Sequence, residues 1–507
     1  MEPINLLSLP NEVLETVGTY LNGLQLANLS FVCRRLHRVL NQNIIWQQLI
    51  NRDNIILAKQ VKDFSTSFQN EMKTVGEPEP DTGQLGLTCG AKLDYMIGRR
   101  VIANWRHGHY SEGMIQHMSA DVRVGFSSDY LVVLESGRMR AWSIVGRWVR
   151  LITTRPVNIS LENPSQTVYQ ILVSGSIAVL CFTFCEEVVG SDFQHLQAYD
   201  LSNGCQLVWE KSGLLGTQYH VIRLLGSHLY ILDLLMEKVE VYDVNENQPV
   251  PKIILVQPQN SVRIPHGDIS AGDTYLAVPG KKVPENSPVI SCWNIITGER
   301  RLLSPDRPVC PFRWFQKSAV RDNLVYGLLN RFRLICWDGR DGQTMFSLDL
   351  TNTSPGDNEE TFSWLEVGPE IVLTVHQEKF SVSVLSLHGA LLGKICPVLP
   401  DWCHDQESVS MVEEVCLNGV MVVIRILNYS MQNNSISCMI LSTDITSIIQ
   451  SLHKNNQGPN EEVVLHAHVL AQHLEPLDSP HCQLLVTNTK VFDVQPLCIK
   501  FYDFLTR

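Results

Sequence analysis

Four arginines stand inside otherwise apolar runs: Arg123, Arg223, Arg263 and Arg313. Each comes a few residues before a stretch that reads as the second strand of a repeating unit. A guanidinium is a planar fork of donors that grips carboxylate or phosphate with paired hydrogen bonds. Four such forks converging on one mouth of a closed sheet structure would select an acidic or phosphorylated segment. Their offsets to the following strand are unequal, however, and that favours four arginines in separate salt bridges. His466-Ala467-His468, with His473 and His481-Cys482 further on, offers ligand types that suit zinc. Histidines near a sheet edge explain the same residues without an ion, so no metal is expected. Asp357-Asn358-Glu359-Glu360 reads as a solvated loop. The chain has no glycine-rich phosphate loop, no Gly-x-Ser-x-Gly elbow and no His-Glu-x-x-His helix. No catalytic residue and no cofactor is expected.

The elements that must position these residues change character along the chain. From residue 101 onward the apolar period is two, and short Val/Ile/Leu/Tyr/Phe runs alternate with turns. A segment recurs in which an aromatic residue precedes Asp or Asn and a glycine turn. It reads Tyr199-Asp200 to Gly204, Trp293-Asn294 to Gly298, and Trp337-Asp338 to Gly342. Tyr242-Asp243 keeps the pattern with Asn247 for glycine, and Trp142-Ser143 to Gly146 is a shortened version. An apolar run precedes each: Tyr130–Leu134, Ile177–Phe184, Leu229–Leu234, Tyr275–Val278 and Leu324–Leu328. With Val384 as a weaker sixth anchor, the spacings are 57, 43, 51, 44 and 47, which suits units of four short strands. Ile440 and Tyr502 extend the series, giving eight units, with seven as the alternative count. The Asp of each pair is read as fixing its turn rather than as a base.

The first fifty residues are helical in pattern. Ser8 can cap a helix with Pro10 and Glu12 in its first turn, where a missing N–H costs nothing and an acid meets the positive helix end. Val13, Leu14, Val17, Tyr20 and Leu21 recur at three- and four-residue steps as one apolar face, and Asn22-Gly23 ends that helix. Further helices carry Leu26, Leu29 and Val32, then Leu36, Val39 and Leu40, then Trp46 and Leu49. A core this small is marginal alone, so some of these residues should face a partner. Residues 51–100 read as a connector: a helix over 54–72, a flexible acidic break at 76–83, and a short helical turn from Ala91 to Arg100.

The N-terminal pattern resembles an F-box. Its three parts occur in order: Leu9-Pro10-Asn11-Glu12-Val13-Leu14, a Leu-rich middle ending in Val32-Cys33-Arg34, and Trp46. The C-terminal repeats resemble a WD-repeat propeller, and Asn104-Trp105-Arg106 between the two resembles F-box/WD-repeat proteins. The Gly-His dipeptide that often opens a WD repeat is absent from the units; Gly108-His109 lies ahead of them. The fold class implied is α+β multidomain: a small all-α F-box domain over 1–50, the connector, and an all-β propeller over 101–507. The last unit lacks an outer strand, and residues 101–106 are expected to supply it.

The resemblance implies a substrate-recognition subunit of an SCF-type, cullin-RING ubiquitin ligase, not itself an enzyme. Leu9, Pro10, Val13, Leu14, Leu29, Val32, Trp46 and Leu49 would form or support the surface for an SKP-family adaptor, and through it a cullin scaffold. The propeller would hold a protein target. A scaffold acting without ubiquitylation is the alternative, and a propeller enzyme, which needs an acid cluster in the channel, is the third reading.

Composition bounds these readings. The 507 residues are 44% hydrophobic and 18% charged, which is a folding and not a disordered composition. A net charge of −12 argues against a general nucleic-acid partner. No apolar run reaches the length of a membrane-spanning helix, so no membrane partner is expected, and no export signal opens the sequence. The expected setting is the cytoplasm, the nucleus or both. There the 14 Cys stay reduced, Cys181, Cys292, Cys336 and Cys438 read as core residues, and Asn158-Ile159-Ser160 stays unglycosylated.

Overall fold

In the computed structural model of the protein, the residues described are 9–30, 32–52, 90–107, 110–116, 122–135, 137–144, 149–157, 167–186, 191–215, 220–233, 238–246, 251–256, 262–263, 269–306, 315–329, 333–350, 362–376, 381–397, 408–418, 421–430, 435–445, 447–449, 463–475, 483–486, 490–495 and 498–504. Ser8, the stretches 54–72 and 76–83, Gly108-His109, Asn158-Ile159-Ser160, Arg313, Asp357–Glu360 and His481-Cys482 lie outside them.

Four short helices open the chain: α1 (Asn11–Tyr20), α2 (Gly23–Ser30), α3 (Arg34–Leu40) and α4 (Asn43–Arg52). Helices this short do not hold without caps and packing. Asn22 starts α2 as well as ending α1. Its Oδ1 accepts from the Gln25 N–H at 2.9 Å, while the Asn22 N–H donates to Gln25 Oε1 at 3.1 Å. That reciprocal pair is a capping box. The Cys33 sulfur accepts from the Leu36 N–H at the start of α3. Arg52 donates to the carbonyls of Thr19 and Leu21, closing the negative end of α1. Leu14, Leu26, Leu36, Leu40, Trp46 and Leu49 meet in the core of the bundle.

A fifth helix, α5 (Gly90–His107), runs 18 residues, about 27 Å. The short turn expected over 91–100 and the strand expected over 101–106 are one continuous helix. Val101-Ile102 looks like strand sequence, yet Ile97, Val101 and Asn104 fall at helical spacing and pack onto the ring. Val101 is buried in a core cluster of the C-terminal blades, and the Asn104 amide donates to the Phe504 carbonyl at 2.8 Å. The other end of α5 sits in the helical bundle. Ala91 and Tyr95 are part of its core, Tyr95 meets Trp46 edge-on at 5.4 Å, and the Ala91 N–H is capped by Asn43 Oδ1. The helical domain thus extends to Arg52, past residue 50, and the propeller's first strand begins at Ser111 rather than at 101.

The rest is an eight-bladed ring. Its first strand, β1 (Ser111–Gln116), belongs to the last blade. Blade 1 is β2 (Val122–Phe126), β3 (Tyr130–Glu135), β4 (Arg138–Ser143) and β5 (Arg150–Pro156); blade 2 is β6 (Thr167–Ser174), β7 (Ile177–Glu186), β8 (Ser191–Asp200) and β9 (Gln206–Leu215). Blade 3 is β10 (His220–Leu225), β11 (His228–Asp233), β12 (Lys238–Asp243) and β13 (Ile253–Val256). In blade 4 the inner position is shared by β14 (Val262–Arg263) and β15 (Ser270–Ala271), ahead of β16 (Tyr275–Lys282), β17 (Ser287–Asn294) and β18 (Arg300–Leu303). Blade 5 is β19 (Phe315–Arg321), β20 (Leu324–Leu329), β21 (Arg333–Asp338) and β22 (Thr344–Asp349). Blade 6 is β23 (Phe362–Val367), β24 (Ile371–His376), β25 (Ser381–Ser386) and β26 (Leu391–Pro397); blade 7 is β27 (Ser408–Asn418), β28 (Met421–Ser430), β29 (Ser435–Asp444) and β30 (Val463–Glu475). Blade 8 is β31 (Gln483–Val486), β32 (Lys490–Val494), β33 (Cys498–Asp503) and β1.

Register explains the recurring aromatic. In every blade the second strand starts opposite the polar residue of the pair: Tyr130 faces Ser143, Ile177 faces Asp200, His228 faces Asp243, Tyr275 faces Asn294, and Leu324 faces Asp338. Ile371 faces Ser386, Met421 faces Asp444, and Lys490 faces Asp503. The sixth and seventh anchors are therefore Leu385 and Thr443, one residue beyond Val384 and three beyond Ile440. Trp142, Tyr199, Tyr242, Trp293 and Trp337 each fill the gap between their own blade and the one before it. The polar partner fixes the turn: Asp200, Asp243, Asn294 and Asp338 each accept a backbone N–H two residues on. Gly298 and Gly342 complete two of these turns with φ of 72° and 76°, where a side chain would be strained. Three of these carboxylates have side-chain partners: Arg340 on Asp338, Ser227 on Asp243 and Lys490 beside Asp503.

Blades 6 and 7 are fused. Residues Val463–Ala467 of β30 pair in parallel with Gly393–Pro397 of β26, and the rest of β30 pairs antiparallel with β29. The ring closes where β1 pairs antiparallel with β33, Ser111 facing Asp503 and Gln116 facing Cys498. Gly113 lies across from Phe501, whose ring occupies the space a Cβ would need, 2.1 Å away. Gly113→Val should displace that ring or open the pair, costing about 1–3 kcal/mol. Because an unclosed ring exposes edges at both ends, thermal unfolding followed by circular dichroism should shift down for the whole propeller. A local loss without that shift would show that closure does not depend on this pair.

Candidate functional site

Two surfaces have the chemistry to bind something. On the helical bundle, three residues expected at the adaptor surface are exposed: Pro10, Val13 at 41% and Val32 at 65%. Arg35 donates to the Leu9 carbonyl at 2.6 Å and to Asn11 Oδ1 at 3.0 Å. This ties the start of α3, just after Val32, to the start of α1. Leu9 and Leu29 are half-buried against the core. Leu14, Trp46 and Leu49 are fully buried, and the Trp46 indole N–H donates to the Leu40 carbonyl. They hold the surface in shape from beneath. The face expected to run through Val13, Leu14, Val17, Tyr20 and Leu21 divides: Leu14 turns inward with Gly18, while Val13 and Tyr20 turn outward.

The second surface is the channel wall formed by the first strand of each blade. The arginine series falls there in part. Arg123 is on β2 opposite Leu134, Arg223 on β10 opposite Tyr230, and Arg263 on β14 opposite Lys281. Counted from the start of each second strand, these are three different heights, spread over about 13 Å. The register does not bring them together as one cluster. Arg223 donates to a carbonyl of its own strand, that of Ile222, at 3.5 Å.

A different group does come together, from three successive inner strands: Lys317 on β19, Glu366 on β23, and Glu414 with Cys416 on β27. Cys416 Sγ lies 3.8 Å from Glu414 Oε1. Burial, then the neighbouring Glu414 carboxylate, raises the Glu366 carboxyl to about 7, with Lys317 pulling the other way. Burial and the same two carboxylates push the Cys416 thiol well above its ordinary range, so it is no ready nucleophile. Sequence reasoning missed this set. Its signal was a carboxylate within an apolar strand, Trp364-Leu365-Glu366-Val367, and again in Val412-Glu413-Glu414-Val415.

His466 and His468 lie on β30, opposite Cys396 of β26 and Ser442 of β29 in the backbone register. Among the described residues no three side chains of metal-ligating type are grouped to hold an ion. Cys181, Cys292, Cys336 and Cys438 are buried and form no disulfide. No described helix is long and apolar enough to cross a membrane.

Residues 6–52 match the F-box-like family model. The chain is thus an F-box-like helical domain mounted on an eight-bladed β-propeller. No curated protein matches the chain in sequence. Its likenesses among solved structures include the computationally designed Ika8 protein, at 14% identity and a TM-score of 0.47, covering 76% of this chain and 97% of that one. The C-terminal WD40 domain of Sif2 aligns at 12% identity with a TM-score of 0.48, covering 77% and 98%; BamB from Moraxella catarrhalis aligns at 13% and 0.42, covering 78% and 99%. At such values these proteins lend nothing about function, and the fold rests on the strand pairing itself. F-box domains generally bind SKP-type adaptors, and an F-box domain with a WD40-like propeller fits a non-enzymatic substrate-adaptor kind of protein.

Glu366 gives the channel a pH signature. Its folded pKa, about 7, is above the ordinary value of 4.5, so the fold disfavours the ionised form. Ionisation of Glu366 therefore destabilises the fold above pH 7, and this loss is relieved as pH falls from about 7 towards 4.5. Glu366→Gln should raise the melting temperature at pH 8 and leave it little changed at pH 5. Equal effects at both pH values would show that this carboxyl does not titrate in that window.

Proposed function

We propose that the chain is the substrate receptor of a cullin-type ubiquitin ligase, working in the cytoplasm or nucleus. The observation that carries this reading is the F-box-like match over residues 6–52 on a bundle that leaves Pro10, Val13 and Val32 exposed. The bundle takes an SKP-family adaptor, the adaptor takes the cullin scaffold, and the propeller holds the target protein. The chain contributes proximity and orientation rather than chemistry. α5 supports that role, because it is rooted in both cores and sets a fixed relation between docking module and ring. A flexible tether would spend that orientation as entropy.

The test separates surface from core. Val13→Asp with Val32→Asp should abolish pull-down of a purified SKP-family adaptor while the melting curve stays unchanged, because both side chains are exposed. Trp46→Ala should instead cost about 3–5 kcal/mol by emptying the bundle's core, and lose the adaptor through unfolding. Undiminished capture by the double variant would remove the docking face from this surface. Adaptor capture without cullin recruitment would leave a scaffold that does not ubiquitylate.

A further inference from the structure

Positive charge is concentrated in one blade of an acidic protein. Between residues 122 and 157 the chain has six arginines and two carboxylates, while its overall net charge is −12. From residue 156 to residue 210, across most of blade 2, there is no Lys or Arg at all. In blade 1, Asp129 is buried and Glu135 is taken by Arg140, which also lies over the Trp142 ring at 5.5 Å and donates to the Gln116 carbonyl. Arg138 and Arg150 are exposed, while Arg155 reaches across to blade 2 and donates to the Cys205 carbonyl at 2.7 Å. Arg150 opens β5, Arg155 stands near its end, and Arg138 sits opposite Pro156 at that same end. The cations therefore bracket β5 at points about 20 Å apart.

Among the described residues β5 is the outermost strand of its sheet, so one row of its backbone N–H and C=O groups faces away from the blade. Leu151, half exposed, lies between the two charged ends. An edge of this kind invites another strand, and edge cations are a usual means of refusing one. Here the refusal is selective. A second copy of β5 would set arginine against arginine, and a basic strand would be repelled, whereas an acidic strand would meet cations at both ends. On a chain of net charge −12, long-range attraction would also steer an acidic segment to this cationic blade.

We propose that the outer edge of blade 1 is a docking site for an extended acidic segment of a partner protein, which adds to β5 as a fifth strand with its carboxylates against Arg138 and Arg150. Backbone hydrogen bonds supply affinity and the arginines supply selection, as in other strand-addition sites. This surface is distinct from the channel and from the adaptor face, and it stands whether or not the chain works within a ligase.

The probe is a fluorescein-labelled peptide of alternating Val and Glu, titrated with the full chain by fluorescence anisotropy. Binding should weaken as salt rises, and a Val-Lys peptide should not bind. Arg138→Glu with Arg150→Glu should weaken the Val-Glu peptide by about tenfold or more, since two charge-assisted contacts turn repulsive. Arg138→Gln with Arg150→Gln provides a milder variant should the reversal disturb folding. N-methylation of alternate peptide amides should also abolish binding if the peptide adds as a strand. Equal affinity of wild type and both variants overturns the site. Undiminished binding of the N-methylated peptide overturns strand addition, and tighter binding of a single-stranded RNA of equal charge overturns the peptide partner in favour of nucleic acid.

Discussion

The antiparallel pairing of β1 with β33 is the contact on which the rest of the molecule depends. A propeller is a chain of sheets, each buried only by its neighbours, and without a clasp its first and last blades present bare faces. Here the clasp joins residues almost four hundred positions apart, Ser111 to Asp503. Inside it lies a buried ion pair: Lys490 Nζ stands 3.5 Å from Asp503 Oδ2, both cut off from water, and burial lowers the Lys490 pKa while Asp503 holds it up. Such a pair adds little net stability against an apolar alternative, but losing one partner strands the other charge. It makes the last blade intolerant of mispairing, which a closing register requires.

The clasp also explains where the helical domain is mounted. α5 precedes β1 in the chain, buries Val101 in the core shared by blades 6 to 8, and bonds the end of the last strand through Asn104 and Phe504. Tyr110, between helix and strand, meets Tyr502 and Phe504 edge-on at 5.1 and 5.6 Å. Fastening the ring and fixing the bundle are therefore one packing event.

Legibility in the sequence followed the physics of each signal. The N-terminal module was readable because its residues do several jobs at fixed spacing: Trp46 fills the core and bonds Leu40, and Cys33-Arg34-Arg35 starts a helix and pins Leu9. The first five blades were readable because an aromatic fills each inter-blade gap. Where Leu385 and Thr443 replace it, the anchor slips by one and by three, since an aliphatic or hydroxyl residue does not stand out in a β run. The closing strand lies ten residues beyond its expected place because Val101-Ile102 has strand composition, and only packing of Ile97, Val101 and Asn104 decides for helix. The arginine series is a different case. Spacing in sequence says nothing of height in the channel, and the unequal offsets become three levels on β2, β10 and β14.

The ring is not uniform in how its blades are held. From blade 1 to blade 6, each interface is a separate cluster of about ten side chains around one anchor residue. From blade 6 to blade 8 a single core of more than twenty runs through three blades, and β30 adds backbone hydrogen bonds between two of them. Buried apolar area and sheet pairing both resist shear, so the stiff arc is blades 6 to 8, where α5 is rooted. A partner pulling on the helical bundle loads that arc. Blades 1 to 5 are joined by smaller clusters and, among the described residues, by no backbone pairing from blade to blade. The basic edge of β5 lies one blade away from the mount, among the smaller interfaces, while Glu366, whose carboxyl is raised by burial and then by Glu414, sits in the arc where α5 is rooted.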